Sequence, residues 1–228
     1  MKKTTIMILD TETCAIEQTD KVVRGNNLTY NIGYSIITPC DGKTLLTRSY
    51  IVNEIFFSEI EKMNSCYYAE KIPEYYKGIA NHTYKPESFF VIMNEINKLC
   101  KEYEVTAICA HNAAFDVDAL NTTCRYLTGL DFIRALPNIE IWDSMKMARS
   151  IFLPRPTYQK FCKENNYYTK HATPRPRLTA EILYRFISKN NDFEEEHTAL
   201  ADVMIESEIV IACYKSHKKF EKVLYAAS

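Results

Sequence analysis

The sequence carries no surplus of either charge: 28 Lys and Arg stand against 29 Asp and Glu. Whole-chain electrostatics therefore names no partner. Its eight cysteines include no Cys-x-x-Cys pair, which removes the usual spacing of a structural zinc site. No apolar run is long enough to span a bilayer. Lys2-Lys3 and the apolar residues after them stop short of a secretory signal, because the run ends at Asp10. No repeat, linker or low-complexity tract divides the chain. These absences point to a reduced, cytoplasmic protein in one domain, residues 1–228. Its 46% hydrophobic content is enough to fill a sizeable core. Cys109, Cys124 and Cys213 lie in apolar stretches, where a thiol packs as a small hydrophobe.

What is present begins with a run of elements. Residues 4–9 and 30–37 read as strands, and Asp41-Gly42 as a hairpin turn into a third, antiparallel strand over 45–52. Residues 54–80 are polar and tyrosine-rich, suited to short helices and loops. Pro86 is expected to open a helix to about residue 103, with Phe89, Ile92, Met93, Ile96 and Leu99 at helical spacing. A short strand follows over 105–110. Asn112 is placed to cap the next helix, whose Ala113, Val117, Leu120, Cys124 and Leu127 form one apolar stripe. A fifth strand spans 139–142, with a helix starting at Asp143 or Ser144. Residues 153–177 hold four prolines among basic residues and read as an irregular surface insertion. Two helices complete the chain, one over 178–188 and a last one with Leu200, Val203, Ser207, Val210 and Tyr214 on one face. Antiparallel strands followed by strands alternating with helices imply an α/β class with a mixed sheet flanked by helices.

The balanced charge hides a local contrast. Residues 153–189 hold eight basic residues against two acidic, a net of +6, whereas residues 190–208 hold seven acidic and none basic, a net of −7. Such a pair suits a site that holds a phosphate chain against bound metal, and equally suits two solvated surfaces.

Five residues carry the chemistry. Asp10 and Glu12 stand at i and i+2 on the first strand, so both side chains leave one face near the strand end. Asp-x-Glu alone is not specific. Asp116 falls in the first turn of its helix, next to the packed stripe, while Asp118 lies further round toward solvent. His197 and Asp202 are five residues apart, about 140° on one ideal helix, so they meet best if His197 precedes the helix and Thr198 caps it. The competing reading starts that helix near Asp192. Four carboxylates at one cleft repel one another unless cations neutralise them, and two divalent ions supply the matching charge. Oxygen-only ligation favours Mg²⁺ or Mn²⁺, and two such ions about 4 Å apart suit in-line attack on a phosphodiester.

Asp10-Thr11-Glu12-Thr13, Asn112-Ala113-Ala114-Phe115-Asp116 and His197-x4-Asp202 resemble, in order and separation, the three motifs of the DEDDh (DnaQ-like) 3′–5′ exonucleases. That family includes proofreading subunits of DNA polymerases, RNase T and oligoribonuclease; a tyrosine in place of His197 would mark the sister DEDDy group. The resemblance implies an RNase H-like fold with a five-stranded mixed sheet. It implies a two-metal site in which Asp10, Glu12 and Asp202 hold the ion that activates water. Asp10 then bridges to a second ion held with Asp116. His197 is implied as general base, and nucleoside 5′-monophosphates as products of single-stranded DNA or RNA. Thr11 and Thr13 are placed against the terminal nucleotide, Phe115 against its bases and Asn112 against sugar-phosphate. Lys160, Lys163, Arg175 and Arg177 are expected to guide the strand. Many members have Thr-Gly after the first motif, where this chain has Cys14-Ala15, so the substrate end near the first strand differs in shape. The basic insertion is not general to the family and resembles that of exonuclease-like proteins encoded by bacteriophages. The expected partner is the 3′ end of a nucleic acid, with no membrane; a homodimer or a polymerase or replication partner stays open. The alternative is a catalytically silent nucleic-acid-binding or protein-interaction module on the same fold.

Overall fold

The computed structural model describes residues 4–19, 23–131 and 134–227. Its elements in chain order are β1 (Ile6–Ala15), β2 (Asn27–Thr38), β3 (Lys43–Val52), α1 (Asn53–Phe56), α2 (Ile60–Asn64), α3 (Ile72–Ala80), β4 (Lys85–Glu87) and α4 (Phe89–Glu102). Then follow β5 (Ala107–Ala110), α5 (Ala114–Thr128), β6 (Glu140–Asp143), α6 (Ser144–Ile151), α7 (Pro156–Glu164), α8 (Ala180–Ser188), α9 (Ala199–Lys215) and β7 (Val223–Tyr225). One mixed sheet runs in the order β4-β3-β2-β1-β5-β6-β7. β1, β2 and β3 are antiparallel, and β1, β5 and β6 are parallel.

The sheet has seven strands where five were expected. The two additions, β4 and β7, are three residues each and lie at opposite edges. A three-residue strand gives no readable alternation. β4 also contains Pro86, which was expected to open a helix. Pro86 instead pairs beside Ile51 at the sheet edge, where a missing N–H is tolerated, and the helix begins at Phe89 after Ser88.

Each sheet face buries its own core. Met7, Leu9, Ile32 and Tyr34 pack against α4 and α5 through Ile92, Ile96, Leu120 and Cys124. On the other face, Ile6 and Ile8 pack against α6, α8 and α9 through Met147, Ile151, Leu183, Val203 and Ile209. Successive side chains of β1 thus alternate between two apolar layers until Asp10. α9 is more deeply set than a single stripe implies, since Ile205, Ile209 and Ile211 are buried as well as Val203 and Val210.

The basic segment is less irregular than its prolines suggest. Pro156 opens α7 at a position where its fixed φ suits a helix start, and Tyr158 and Cys162, one turn apart, are fully buried. All eight cysteines are free, and seven are buried. Among the described residues no helix is long and apolar enough to cross a membrane.

Candidate active site

β1 pairs with β5 only as far as Ile8–Cys109, so Asp10 and Glu12 project past the parallel strands into the open end of the sheet. That end is where open α/β sheets form ligand crevices. The pairing of β1 with β2 shifts by one residue between Glu12 and Thr13, a bulge that bends the ladder at the acidic pair before pairing resumes to Ala15.

The first turn of α9 lies directly across this end, because of what faces it on β2. Gly33 is the partner of Asp10 and Asn31 the partner of Glu12. A Cβ on Gly33 would lie 2.1 Å from the Ala199 carbonyl oxygen, so only glycine lets the helix approach this closely. Asn31 is fully buried and uses its whole amide. Its Oδ1 accepts from the Ala199 N–H (3.1 Å) and Tyr75 hydroxyl (3.2 Å), and its Nδ2 donates to the Ser49 hydroxyl (3.1 Å) and Tyr50 carbonyl (2.8 Å). Thr198 caps the helix, its hydroxyl accepting from the Ala201 N–H at 3.3 Å. His197 therefore precedes the helix, in the left-handed region at φ 52°.

This arrangement brings Asp10, Glu12 and Asp202 together: one ligand oxygen of each lies within 4.8 Å of the others. Asp116 stands beside that group. Its Oδ1 accepts from the Thr11 amide (3.1 Å) and hydroxyl (2.8 Å). Thr11, expected at the terminal nucleotide, gives both its N–H and its hydroxyl proton to Asp116. Asp118 turns away and accepts from the Gly25 N–H at 2.8 Å. Thr13 and Phe115 are half-buried and Asn112 exposed. Asn112 does not cap α5. It has φ 67°, its N–H donates to Asp143 Oδ1 at 3.2 Å, and Ala113 takes the cap position. Lys160 and Lys163 lie exposed on α7, and Arg175 and Arg177 are exposed in the loop before α8.

Three residues of the site were not singled out from sequence. Glu206 lies one helical turn below Asp202, 3% exposed, with its Oε2 lacking a hydrogen-bond partner. The i, i+4 spacing could have placed it under Asp202. Glu195 belongs to the acidic run, yet unlike the exposed Glu194 and Glu196 its side chain is only 16% exposed, and it sits 3.7 Å from His197 Nδ1. Tyr68 stacks on the His197 ring at 4.4 Å between centroids and 15° between planes. No local pattern in a tyrosine-rich stretch could have selected it.

Burial and mutual repulsion push the carboxyls up together. Asp10 is raised to about 7 by desolvation and by Glu195, and Glu195 to about 7 by desolvation and Glu181. Glu12 is raised to about 9 by desolvation and then by Asp10, Glu195 and Asp116. Asp202 is raised to about 10 by desolvation and then by Asp10, Glu195 and Glu12. Asp116 and Glu206 are pushed well above the usual carboxylate range, first by burial and then by Asp10. Desolvation lowers His197, which favours a neutral imidazole.

The site's own chemistry fits a hard divalent cation. The converging donors are all oxygen, the charges that act on them among the described residues are other carboxylates, and the buried Asp202 Oδ1 has no hydrogen-bond partner there. The folded values lie above the unfolded ones, so the folded protein holds these protons more tightly. The associated stability is full below about pH 4 and is lost as pH rises through about 7 to 10. With chelator present, Tm should fall between about pH 5 and pH 9, by about 2–4 °C for each kcal/mol lost. Mg²⁺ or Mn²⁺ should raise Tm more at the alkaline end. A flat metal-free profile in thermal scans would mean that the carboxyls are not packed against one another.

Among solved structures, a full-length 3′-exonuclease superposes with a TM-score of 0.57 at 12% identity, over 98% of this chain and 88% of that one. A 3′-exonuclease described in 3′-end specific recognition of a histone mRNA stem-loop gives 0.57 at 12%, over 100% and 70%. The nuclease domain of 3′hExo, a DEDDh family member bound to rAMP, gives 0.56 at 13%, over 99% and 98%. No protein-family model matches the chain. No curated protein matches it in sequence. The likeness establishes a shared fold, one mixed sheet flanked by helices.

Proposed function

We propose that this chain is a metal-dependent 3′–5′ exonuclease of the DEDDh kind, hydrolysing terminal phosphodiester bonds of single-stranded DNA or RNA to nucleoside 5′-monophosphates. The observation that carries this reading is the meeting of Asp10, Glu12 and Asp202 within 4.8 Å at the open end of the sheet, with Asp116 beside Asp10 and His197 against Glu195. These carboxylates come from three separate stretches of chain. A binding module has no use for so costly a gathering of buried acids.

Asp10, Glu12 and Asp202 would hold one cation, and Asp10 with Asp116 a second. Bound Mg²⁺ or Mn²⁺ ions supply Lewis acidity and charge neutralisation at the phosphoryl group. Thr11 keeps Asp116 turned toward Asp10 through its two hydrogen bonds. His197 takes the proton of the attacking water. Its Nδ1 faces Glu195 at 3.7 Å, leaving Nε2 as the accepting atom, and stacking on Tyr68 fixes the ring plane.

The reading is tested with end-labelled single-stranded RNA and DNA in parallel, with Mg²⁺ or Mn²⁺. Release of 3′-terminal mononucleotides is the expected product, and loss of the 5′-terminal nucleotide first would overturn the polarity. His197→Ala should lower turnover by about 10² or more, the scale of a general base. Metal affinity measured by calorimetry should stay close to that of the wild type. An equal loss of metal affinity would place the ring among the ligands rather than at the proton.

A further inference from the structure

The basic segment divides in two when its partners are traced. Lys160 pairs with Glu164 at 3.7 Å, and Arg185 with Glu181 at 2.8 Å and the Tyr167 hydroxyl at 2.6 Å. Arg175 and Arg177 have no such partner. With Arg149 of α6 and His171 they line a groove of about 760 Å³ beside Leu178 and Thr179. No Asp or Glu is among the lining residues. No side-chain hydrogen bond or ion pair engages the three guanidinium groups among the described residues.

The groove wall is pinned. The Thr169 N–H donates to the Arg175 carbonyl (2.9 Å), the Arg175 N–H to the Thr169 hydroxyl (3.1 Å), and the Arg177 N–H to the Tyr167 carbonyl (3.0 Å). The Tyr158 hydroxyl, rooted in the core by α7, donates to the Arg177 carbonyl at 2.5 Å. The wall also joins the cleft. His111, next to Asn112 at the end of β5, holds the Leu178 carbonyl at 2.6 Å through Nε2. Because a carbonyl only accepts, Nε2 carries the proton, and Nδ1 accepts from the Ser144 hydroxyl at 2.8 Å. Three residues past Leu178, the Glu181 carboxylate acts on Glu195, adding to the rise that burial causes, and opposes the lowering of His197 by burial.

We infer that this groove, formed by Arg149, Arg175, Arg177 and His171, binds the phosphodiester backbone of the nucleic-acid strand as it leaves the acid cluster. Arginine forks match phosphate oxygens in pairs, and a wall without carboxylates leaves them free to do so. The groove sits outside the cluster, so it takes phosphates upstream of the one being cleaved. It holds the strand by charge and without reading its sequence. This inference rests on the exonuclease reading for its ligand and extends beyond it to a second, non-catalytic contact.

The test measures anisotropy of fluorescein-labelled 20-nucleotide RNA and DNA strands with the full chain in excess EDTA, across a salt series. Replacing Arg149, Arg175 and Arg177 together by Gln should weaken binding and flatten the salt dependence by about 2 in the log–log slope, at about 0.7 per single-strand phosphate contact. The triple Arg→Lys variant should keep most of the slope, which separates charge from misfolding. An unchanged slope in the Gln variant would overturn the groove and leave the exonuclease reading standing. Arginine-dependent binding by a wild type that releases no nucleotide with Mg²⁺ or Mn²⁺ would do the reverse. Arginine-dependent capture on phosphatidylserine vesicles, with no affinity for either oligonucleotide, would overturn the nucleic-acid assignment.

Discussion

Asp10→Asn is expected to cut release of 3′-terminal nucleotides by about 10³-fold or more while leaving the metal-free protein at least as stable as the wild type. Asp10 is the electrostatic centre of the site. Its charge helps raise Glu12, Asp116, Asp202 and Glu206. Asparagine keeps the shape and removes that charge, together with the oxygen placed to serve both proposed cations. Losing several kcal/mol of transition-state stabilisation corresponds to about 10³ in rate. The same change relieves repulsion on four buried neighbours, so in chelator the variant should lose part of the alkaline fall in Tm. Rate and stability should therefore move in opposite directions, which a merely damaged fold would not do. A variant as active as the wild type would remove the proposed mechanism.

Gly33→Ala is expected to act far more broadly than its single methyl suggests. The added carbon would meet the Ala199 carbonyl oxygen at 2.1 Å and its carbon at 2.4 Å. Both are backbone atoms, so the first turn of α9 must shift, and Asp202 shifts with it. Overpacking of this kind costs about 1–3 kcal/mol, or about 2–4 °C of Tm for each kcal/mol in a chain of this size. Activity should fall further than stability, since carboxylate convergence depends on where the helix begins. Gly129 provides the contrast. It is left-handed (φ 69°) with nothing within 4 Å of an added Cβ, so Gly129→Ala should cost about 1 kcal/mol of backbone strain and leave turnover unchanged. Equal loss of activity in the two variants would mean that helix approach at Gly33 is not what positions Asp202.

Where local rules apply, the fold was legible. The alternation of β1 places Asp10 and Glu12 on one face, and the packed stripe of α5 separates Asp116 from Asp118. The awkward angle between His197 and Asp202 set a Thr198 cap against a helix start near Asp192, and the structure has the Thr198 cap. What escaped depends on partners distant in sequence. Asn31 and Gly33 look like ordinary residues of a strand until α9 is laid on them. That the Thr11 hydroxyl proton goes to Asp116, 105 residues away, leaves no local trace in the sequence. Proline misled in both directions. Pro86 sits in an edge strand and Pro156 starts a helix, because each position depends on what the neighbouring chain does with its N–H groups. The basic segment was read as one surface. Its split into paired cations and a groove needed Arg149, which belongs to a different element.

The four bonds of Asn31 also set an order of events. They join β2 to β3, to α3 and, across 168 residues, to the first turn of α9. Until that helix exists, Asn31 Oδ1 lacks one of its two donors, and Glu12 and Asp10 lack Asp202. Closing a contact of that sequence separation carries a loop-closure entropy cost and slows assembly. A polypeptide still emerging from the ribosome, surrounded by nucleic acid, would thus lack Asp202, and with it a complete acid cluster, until its last helix docks.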